Sequence, residues 1–337
     1  MNTAISCALA LALAATPAHA DGFLHHLVDE LGQRLDSIEA ARGPTLVPPV
    51  PVAVAWRPQK LAPSLDLDAP LLALAAGDLD GDGRAELYAV TAREVIALSV
   101  TGARVRELGR VALAGELAAH RPRDPVGAAV VAERSDVHSK YLIASSSQFA
   151  RPFAVSWRGK ALVADPTGAP GIALCADALA QLAPGRDYFG DGATASYGTR
   201  CRDDLVTSDG HPLHLRATLS TAGKLEVAAQ RCEAGGTSCA HAADFTYTHV
   251  GIGFELVDLD RDGTPEVVYA GAGAPGEPDE LRVVSFGADE HKTKLRKSFV
   301  AGGVAAIAAG DLERKGPVIV AAVRLSGSTR VDLWRMN

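Results

Sequence analysis

Aromatic side chains make up only 5% of the 337 residues, and 33 Lys and Arg face 40 Asp and Glu, a net charge of −7. That balance argues against a nucleic-acid partner, whose phosphates demand a basic surface. Few aromatics weigh against a sugar site, where rings are usually stacked on them. No G-x-S-x-G elbow, no H-E-x-x-H and no phosphate loop occurs. Ser145-Ser146-Ser147 reads as a polar strand end. His211 and His214 are three apart, and in a strand such residues face opposite sides. His25 and His26 are adjacent on a helical stretch and diverge. No CxxC pair is present, so the cysteines lack common zinc spacing. Beyond the first 20 residues no segment is apolar over a membrane-spanning length.

What is present begins with an export signal. Ile5 to Ala15 is an apolar run too short to span a bilayer, and Ala18-His19-Ala20 forms an A-x-A cleavage site. No Lys or Arg precedes the run, so the α-amino group alone supplies positive charge there. Residues 1–20 are expected to be removed, giving a periplasmic or extracellular protein. Four cysteines then remain: Cys175, Cys201, Cys232 and Cys239. An even number in an exported chain reads as two disulfides. Two glycines lie midway between Cys232 and Cys239, so that segment can fold back on itself. Pairing those two leaves Cys175 for Cys201, one of three pairings that four cysteines allow.

Residues 21–45 differ in kind. Phe23, Leu24, Leu27, Val28, Leu31, Leu35 and Ile38 recur at helical spacing, Gly43-Pro44 stops the helix, and Pro48-Pro49-Val50-Pro51 is a stiff connector. The short helix either packs on the main domain or docks a partner; its acidic polar face disfavours anionic lipid.

The most informative segment is Asp78-Leu79-Asp80-Gly81-Asp82-Gly83-Arg84-Ala85-Glu86. Three carboxylates alternate, glycine permits a sharp turn, and a fourth carboxylate returns at the ninth position. Hard oxygen ligands in a tight loop suit Ca²⁺. Apolar runs flank the loop, so it joins strands rather than EF-hand helices. The pattern recurs at Asp258-Leu259-Asp260-Arg261-Asp262-Gly263-Thr264-Pro265-Glu266. Two Ca²⁺ sites are therefore expected. One is formed by Asp78, Asp80, Asp82, Glu86 and the Arg84 carbonyl, the other by Asp258, Asp260, Asp262, Glu266 and the Thr264 carbonyl.

The loops sit in a longer repeat. From Asp78, related segments begin at Glu133, Asp187, Asp258 and Asp311, at intervals of 55, 54, 71 and 53 residues. Each unit reads as four short strands, in the first Leu71–Ala76, Glu86–Val90, Val95–Val100 and Arg104–Val111. Such units at this period indicate a β-propeller. Leu71 to Gly77 and Val304 to Gly310 are rich in small residues, as innermost strands converging on an axis must be. Residues 46–337 are thus expected to form an all-β propeller of about five four-stranded blades. A sixth blade would have to hide between Cys201 and Phe254. The fifth unit ends after three strands, and Val52–Trp56 is expected to complete it beside Arg330–Trp334.

On these motifs the chain resembles the FG-GAP/VCBS repeat family, which includes the integrin α-subunit propellers. The family motif is a small apolar strand, G-D-x-[DN]-x-D-G-x-x-[DE], and a second apolar strand. Residues 77–87 match it well and 257–267 nearly so, with Val257 replacing the glycine. The resemblance covers about residues 50 to 337 and implies propeller blades with Ca²⁺ loops between the first two strands, but no single activity. The other copies depart from the motif. Val137 and Tyr141 displace ligands in the second, and Lys315 stands at the third ligand position of the fifth, where an ammonium could replace the cation. The third keeps Asp187 and Asp191 around Phe189 as a candidate third site.

Two function classes follow. The first is an exported, non-catalytic, Ca²⁺-binding module with a protein partner. The second is a polysaccharide-binding or polysaccharide-degrading propeller. Trp56, Trp157 and Trp334 read as outer-strand residues packing between blades, which favours the first.

Overall fold

The computed structural model describes residues 53–336 apart from 62–63, 103, 120, 122–124, 135–138, 176–177, 180–195, 208, 221, 234–237, 272–277, 287–292, 300–302, 314 and 325–326. The expected signal peptide, the helix of 21–42, its connector, Ser135, Val137, Asp187 and Asp191 lie outside the described residues.

Two short strands, β1 (Pro58–Lys60) and β2 (Leu65–Leu67), come first. Five blades follow, each with strands antiparallel and in sequence order from the axis outward. Blade one holds β3 (Leu71–Gly77), β4 (Glu86–Thr91), β5 (Glu94–Thr101) and β6 (Arg104–Ala112). Blade two holds β7 (Gly127–Arg134), β8 (Ser139–Ser146), β9 (Phe153–Arg158) and β10 (Ala161–Asp165). A two-stranded insertion, β11 (Ala173–Cys175) and β12 (Ala178–Leu179), precedes blade three. That blade holds β13 (Ser196–Val206), β14 (Pro212–Ser220), β15 (Leu225–Cys232) and β16 (Cys239–Tyr247). Blade four holds β17 (Val250–Val257), β18 (Glu266–Gly271), β19 (Asp279–Ser285) and β20 (Thr293–Phe299). Blade five takes β21 (Val304–Gly310), β22 (Val318–Arg324) and β23 (Thr329–Met336) from the C-terminal end, and β1 and β2 pair with β23 to complete it. The inner strands β3, β7, β13, β17 and β21 neighbour one another in a closed ring.

The core lies between blades, so a strand such as β4 is buried on both faces, whereas β14 and β15 of blade three bury only alternate residues. Every residue of β4 is buried. Because successive side chains alternate, Leu87 packs with Leu71, Ala306, Val318 and Leu333 toward blade five, while Tyr88 and Val90 pack with Leu142, Phe153 and Val155 of blade two. Close approach at the axis explains the small residues. A Cβ on Gly77 would lie 2.6 Å from a Val131 methyl of blade two, and one on Gly253 would lie 2.6 Å from the Ile307 nitrogen of blade five.

Three expectations need correction. The closing strand is not Val52–Trp56: Pro58–Lys60 pairs with Trp334–Met336, and Leu65–Leu67 with Thr329–Val331. Residues 53–56 are not in a strand; Trp56 has a left-handed φ of 52°, and its side chain and that of Val54 join the apolar cluster between blades four and five. Second, the third repeat does not start its blade at Asp187: the inner strand of blade three is β13, which ends at Val206. The loop equivalent to Asp78–Glu86 in blade three is therefore Thr207–His211, and Asp187 and Asp191 precede the blade altogether. Third, the long repeat interval falls before blade three instead of after it. The insertion fills a seam: Ala169, Ile172 and Leu174 pack on Val130, Ile143 and Ala154 of blade two. The disulfide Cys175–Cys201 ties it to β13, and Cys232–Cys239 joins β15 to β16, as the sequence suggested.

Candidate metal centre

The loop between the first two strands of blade one is shaped by its own carboxylates. Asp78 accepts the N–H groups of Gly81 (2.8 Å) and Gly83 (2.9 Å) on its two oxygens. Asp80 accepts from Asp82 at 3.0 Å and Asp82 from Arg84 at 2.7 Å. Gly81 and Gly83 have φ of 79° and 81°, the left-handed region that glycine enters without steric cost. The chain thus curls round a point, and one oxygen each of Asp78, Asp80, Asp82 and Glu86 come within 4.8 Å of one another.

Glu86 sits at the root of the loop and is 4% exposed. Its Oε2 accepts the Leu79 N–H at 3.2 Å and the Tyr88 hydroxyl at 2.8 Å. Tyr88 in turn accepts the indole N–H of Trp157, from blade two, at 3.0 Å. The Trp157–Tyr88–Glu86 relay was missed in the sequence, although Glu86 and Tyr88 are two apart in one strand and so share a face. Burial pushes the Glu86 carboxyl above its usual range, the two hydrogen bonds pull it back, and the Asp80 and Asp78 charges push it up again. Both donors to Glu86 are neutral, and among the described residues none reaches its Oε1. Four converging carboxylates, with only neutral donors on the most buried of them, fit a hard cation.

Blade four builds the same turn on different support. Asp258 accepts from Asp262 (3.1 Å) and Gly263 (3.0 Å), and Asp262 accepts from Thr264 at 2.7 Å. Arg261 takes the place of Gly81 with a left-handed φ of 57°. Asp258, Asp260 and Asp262 converge within 4.8 Å. Glu266 is 1% exposed and accepts the Leu259 N–H at 2.8 Å on Oε2, while its Oε1 takes the Lys294 ammonium. The same ammonium is 3.1 Å from Asp260. Burial pushes Glu266 up to about 7, opposed by Lys294 and the Leu259 N–H. The tethered cation expected from Lys315 in blade five thus occurs here, from another strand. Lys315 is exposed and gives its backbone N–H to Asp311 at 2.9 Å. In that loop Glu313 pairs with Arg335, and buried Val318 holds the register that Glu86 holds in blade one.

The other polar groups have structural partners. Arg202 of β13 donates to the Leu256 carbonyl at 2.7 Å, and the Arg200 guanidinium lies 3.6 Å from Glu255 and 5.5 Å from the Phe254 ring centre. These side chains hold blade three to blade four near the axis. His214 lies near Cys232 and Cys239, but those sulfurs are bonded to each other. No helix among the described residues is long and apolar enough to cross a membrane.

The chain matches no protein-family model and no curated protein. It is similar to solved structures that include a Bacillus licheniformis rhamnogalacturonan lyase PL11, at 13% identity and TM-score 0.25, covering 81% of this chain and 61% of that one. Polysaccharide lyase Uly1 is similar at 11% identity and TM-score 0.23, covering 76% of this chain and 57% of that one. The chain therefore spans less than two thirds of either protein, and likeness at this level carries no argument about activity.

Proposed function

We propose that this chain is an exported, Ca²⁺-binding propeller that serves as a non-catalytic protein-binding or scaffold module, in keeping with its resemblance to FG-GAP/VCBS repeats. The observation that supports this most is the blade-one loop, where Asp78, Asp80, Asp82 and Glu86 converge and, among the described residues, only neutral donors hold Glu86. With the Arg84 carbonyl these residues would hold the ion. Its role is structural, neutralising the loop and fixing the turn between β3 and β4. The loop of Asp258, Asp260, Asp262, Glu266 and the Thr264 carbonyl is the second Ca²⁺ candidate. Two disulfides fit an oxidising, exported setting. A polysaccharide-directed role is the competing reading. It would call for aromatics offered to solvent, whereas Trp157 and Trp334 pack between blades and Trp56 joins the cluster between blades four and five.

Extracellular modules bind Ca²⁺ at roughly 10⁻⁴ to 10⁻³ M. At about 1 mM Ca²⁺ the first site should therefore stabilise the fold by roughly 0.4 to 1.4 kcal/mol. Calorimetric titration should show uptake that Asp78→Asn abolishes at the first site. A wild-type chain with no uptake and no fall in melting temperature on chelation would overturn the metal reading. Turnover of a polysaccharide, abolished by one substitution on a propeller face, would overturn the non-catalytic one.

A further inference from the structure

We propose that Lys294 is a built-in counter-ion that keeps the blade-four loop closed to divalent ions, so that the two acidic loops are unequal: the first binds Ca²⁺ directly, and the second only by expelling a side chain. This rests on the Ca²⁺ reading above. In the first loop the ninth-position carboxylate is held on one oxygen by neutral donors. In the second, both oxygens of Glu266 are taken, one by the Leu259 N–H and one by the Lys294 ammonium. The ammonium also lies 3.1 Å from Asp260, so it touches two of the four carboxylates that would ligate an ion.

Lys294 belongs to β20, the outermost strand, and comes to the loop from across the sheet. Its side chain is 21% exposed, against 2% for Glu266, so the pair is largely removed from water and its charge–charge attraction is stronger than in bulk solvent. A further contact holds it there: the ammonium sits 4.4 Å from the centre of the Trp56 ring, within cation–π range. Trp56 comes from the segment that leads into β1, so the lysine is held between the acidic loop and the N-terminal approach to the propeller. A divalent ion at Asp258, Asp260, Asp262 and Glu266 must displace the ammonium from both carboxylates and from the ring. Its apparent affinity falls by the factor with which the lysine occupies the loop.

The test is Ca²⁺ titration calorimetry on the whole chain, in wild type and in Asp78→Asn, which isolates the second loop. Lys294→Met keeps the side-chain length and removes the charge. In the Asp78→Asn background it is expected to tighten Ca²⁺ binding at least tenfold, whereas Lys294→Arg, retaining a cation, leaves it weak. Trp56→Leu should give an intermediate gain. Unchanged affinity in Lys294→Met, with wild type still binding at the first loop, overturns the counter-ion and leaves the Ca²⁺ reading intact. Absence of uptake at the first loop defeats that reading, and the counter-ion then stands only if Lys294→Met gains a site. Because removing the ammonium leaves Asp260 and Glu266 without a cation when metal is absent, the melting temperature of the methionine variant in chelator is the second readout. A fall restored by Ca²⁺ supports the proposal, and a fall that Ca²⁺ leaves unchanged overturns it.

Discussion

At the scale of single residues, each acidic loop leans on a side chain that reaches it from another strand: Lys294 in blade four, and Trp157 through Tyr88 in blade one. Asp78 to Glu86 and Asp258 to Glu266 announce themselves because ligands of one loop are close in sequence. Lys294 is 28 residues from Glu266, and its approach depends on the pairing of β18, β19 and β20. Trp157 is 69 residues from Tyr88 and reaches it only because blades one and two pack face to face. Tyr88→Phe should remove the hydroxyl that orients Glu86 and strand the Trp157 N–H. The expected cost is about 1–3 kcal/mol in denaturant unfolding, with Ca²⁺ weakened but not abolished; unchanged stability would show that the relay is incidental. At the fifth blade, Asp332 receives the Ser64 hydroxyl at 2.6 Å, the Lys60 ammonium at 3.1 Å and Arg330 at 3.3 Å. Burial pulls its carboxyl up, but the Ser64 and Lys60 hydrogen bonds and the nearby cations hold it below its ordinary value of 3.8. A lowered folded pKa gives stability that is complete well above 3.8 and lost as pH falls through the folded value. Asp332→Asn should therefore be less stable than wild type at pH 7 by about 1–2 kcal/mol, and melting curves at falling pH should bring the two together below that value. A gap that persists at low pH would assign the loss to packing.

At the scale of elements, blade one was read nearly strand for strand, and the inner strands Leu71–Gly77 and Val304–Gly310 were legible because they carry the small apolar residues that crowding at the axis requires. Blade three was misread because its inner strand does not look like one. Ser196–Val206 carries Arg200, Arg202, Asp203 and Asp204. Two of these charges are satisfied by groups on neighbouring inner strands, Arg200 by the Ala129 carbonyl and Glu255 and Arg202 by the Leu256 carbonyl. No local pattern reveals such compensation, so the repeat slipped by one element and the candidate third loop was placed at Asp187 and Asp191, ahead of the inner strand. The insertion that caused the slip is held by Cys175–Cys201, which spans 26 residues, whereas Cys232–Cys239 spans 7. Loop entropy puts the losses at roughly 3–4 kcal/mol for Cys175→Ala with Cys201→Ala and about 2 kcal/mol for Cys232→Ala with Cys239→Ala. Denaturant titrations that reverse this order would show that the insertion is not a structural part of the seam between blades two and three.

At the scale of the whole molecule, the ring and its manner of closure were legible, though the closing residues were misplaced. Val52–Trp56 has the right alternation, but Trp56 is spent on packing, and the ladder falls instead to Pro58–Lys60 and Leu65–Leu67. Proline suits the first position of an edge strand, where its missing N–H is not needed. Leu65→Asp with Leu67→Asp should detach β2 from the cluster it shares with Leu71 and Leu333, bare the edge of β23, and produce concentration-dependent association in sedimentation. A monomer with an unchanged melting temperature would show that β2 is dispensable. The clasp also governs timing. Ser64 and Asp332, hydrogen-bonded across it, are 268 residues apart, so the ring stays open while the polypeptide is being made and shuts only when β23 arrives. Contacts of such sequence separation form slowly. The export proposed above would need a chain still unlocked at the translocation pore, and the late arrival of the final strand supplies one.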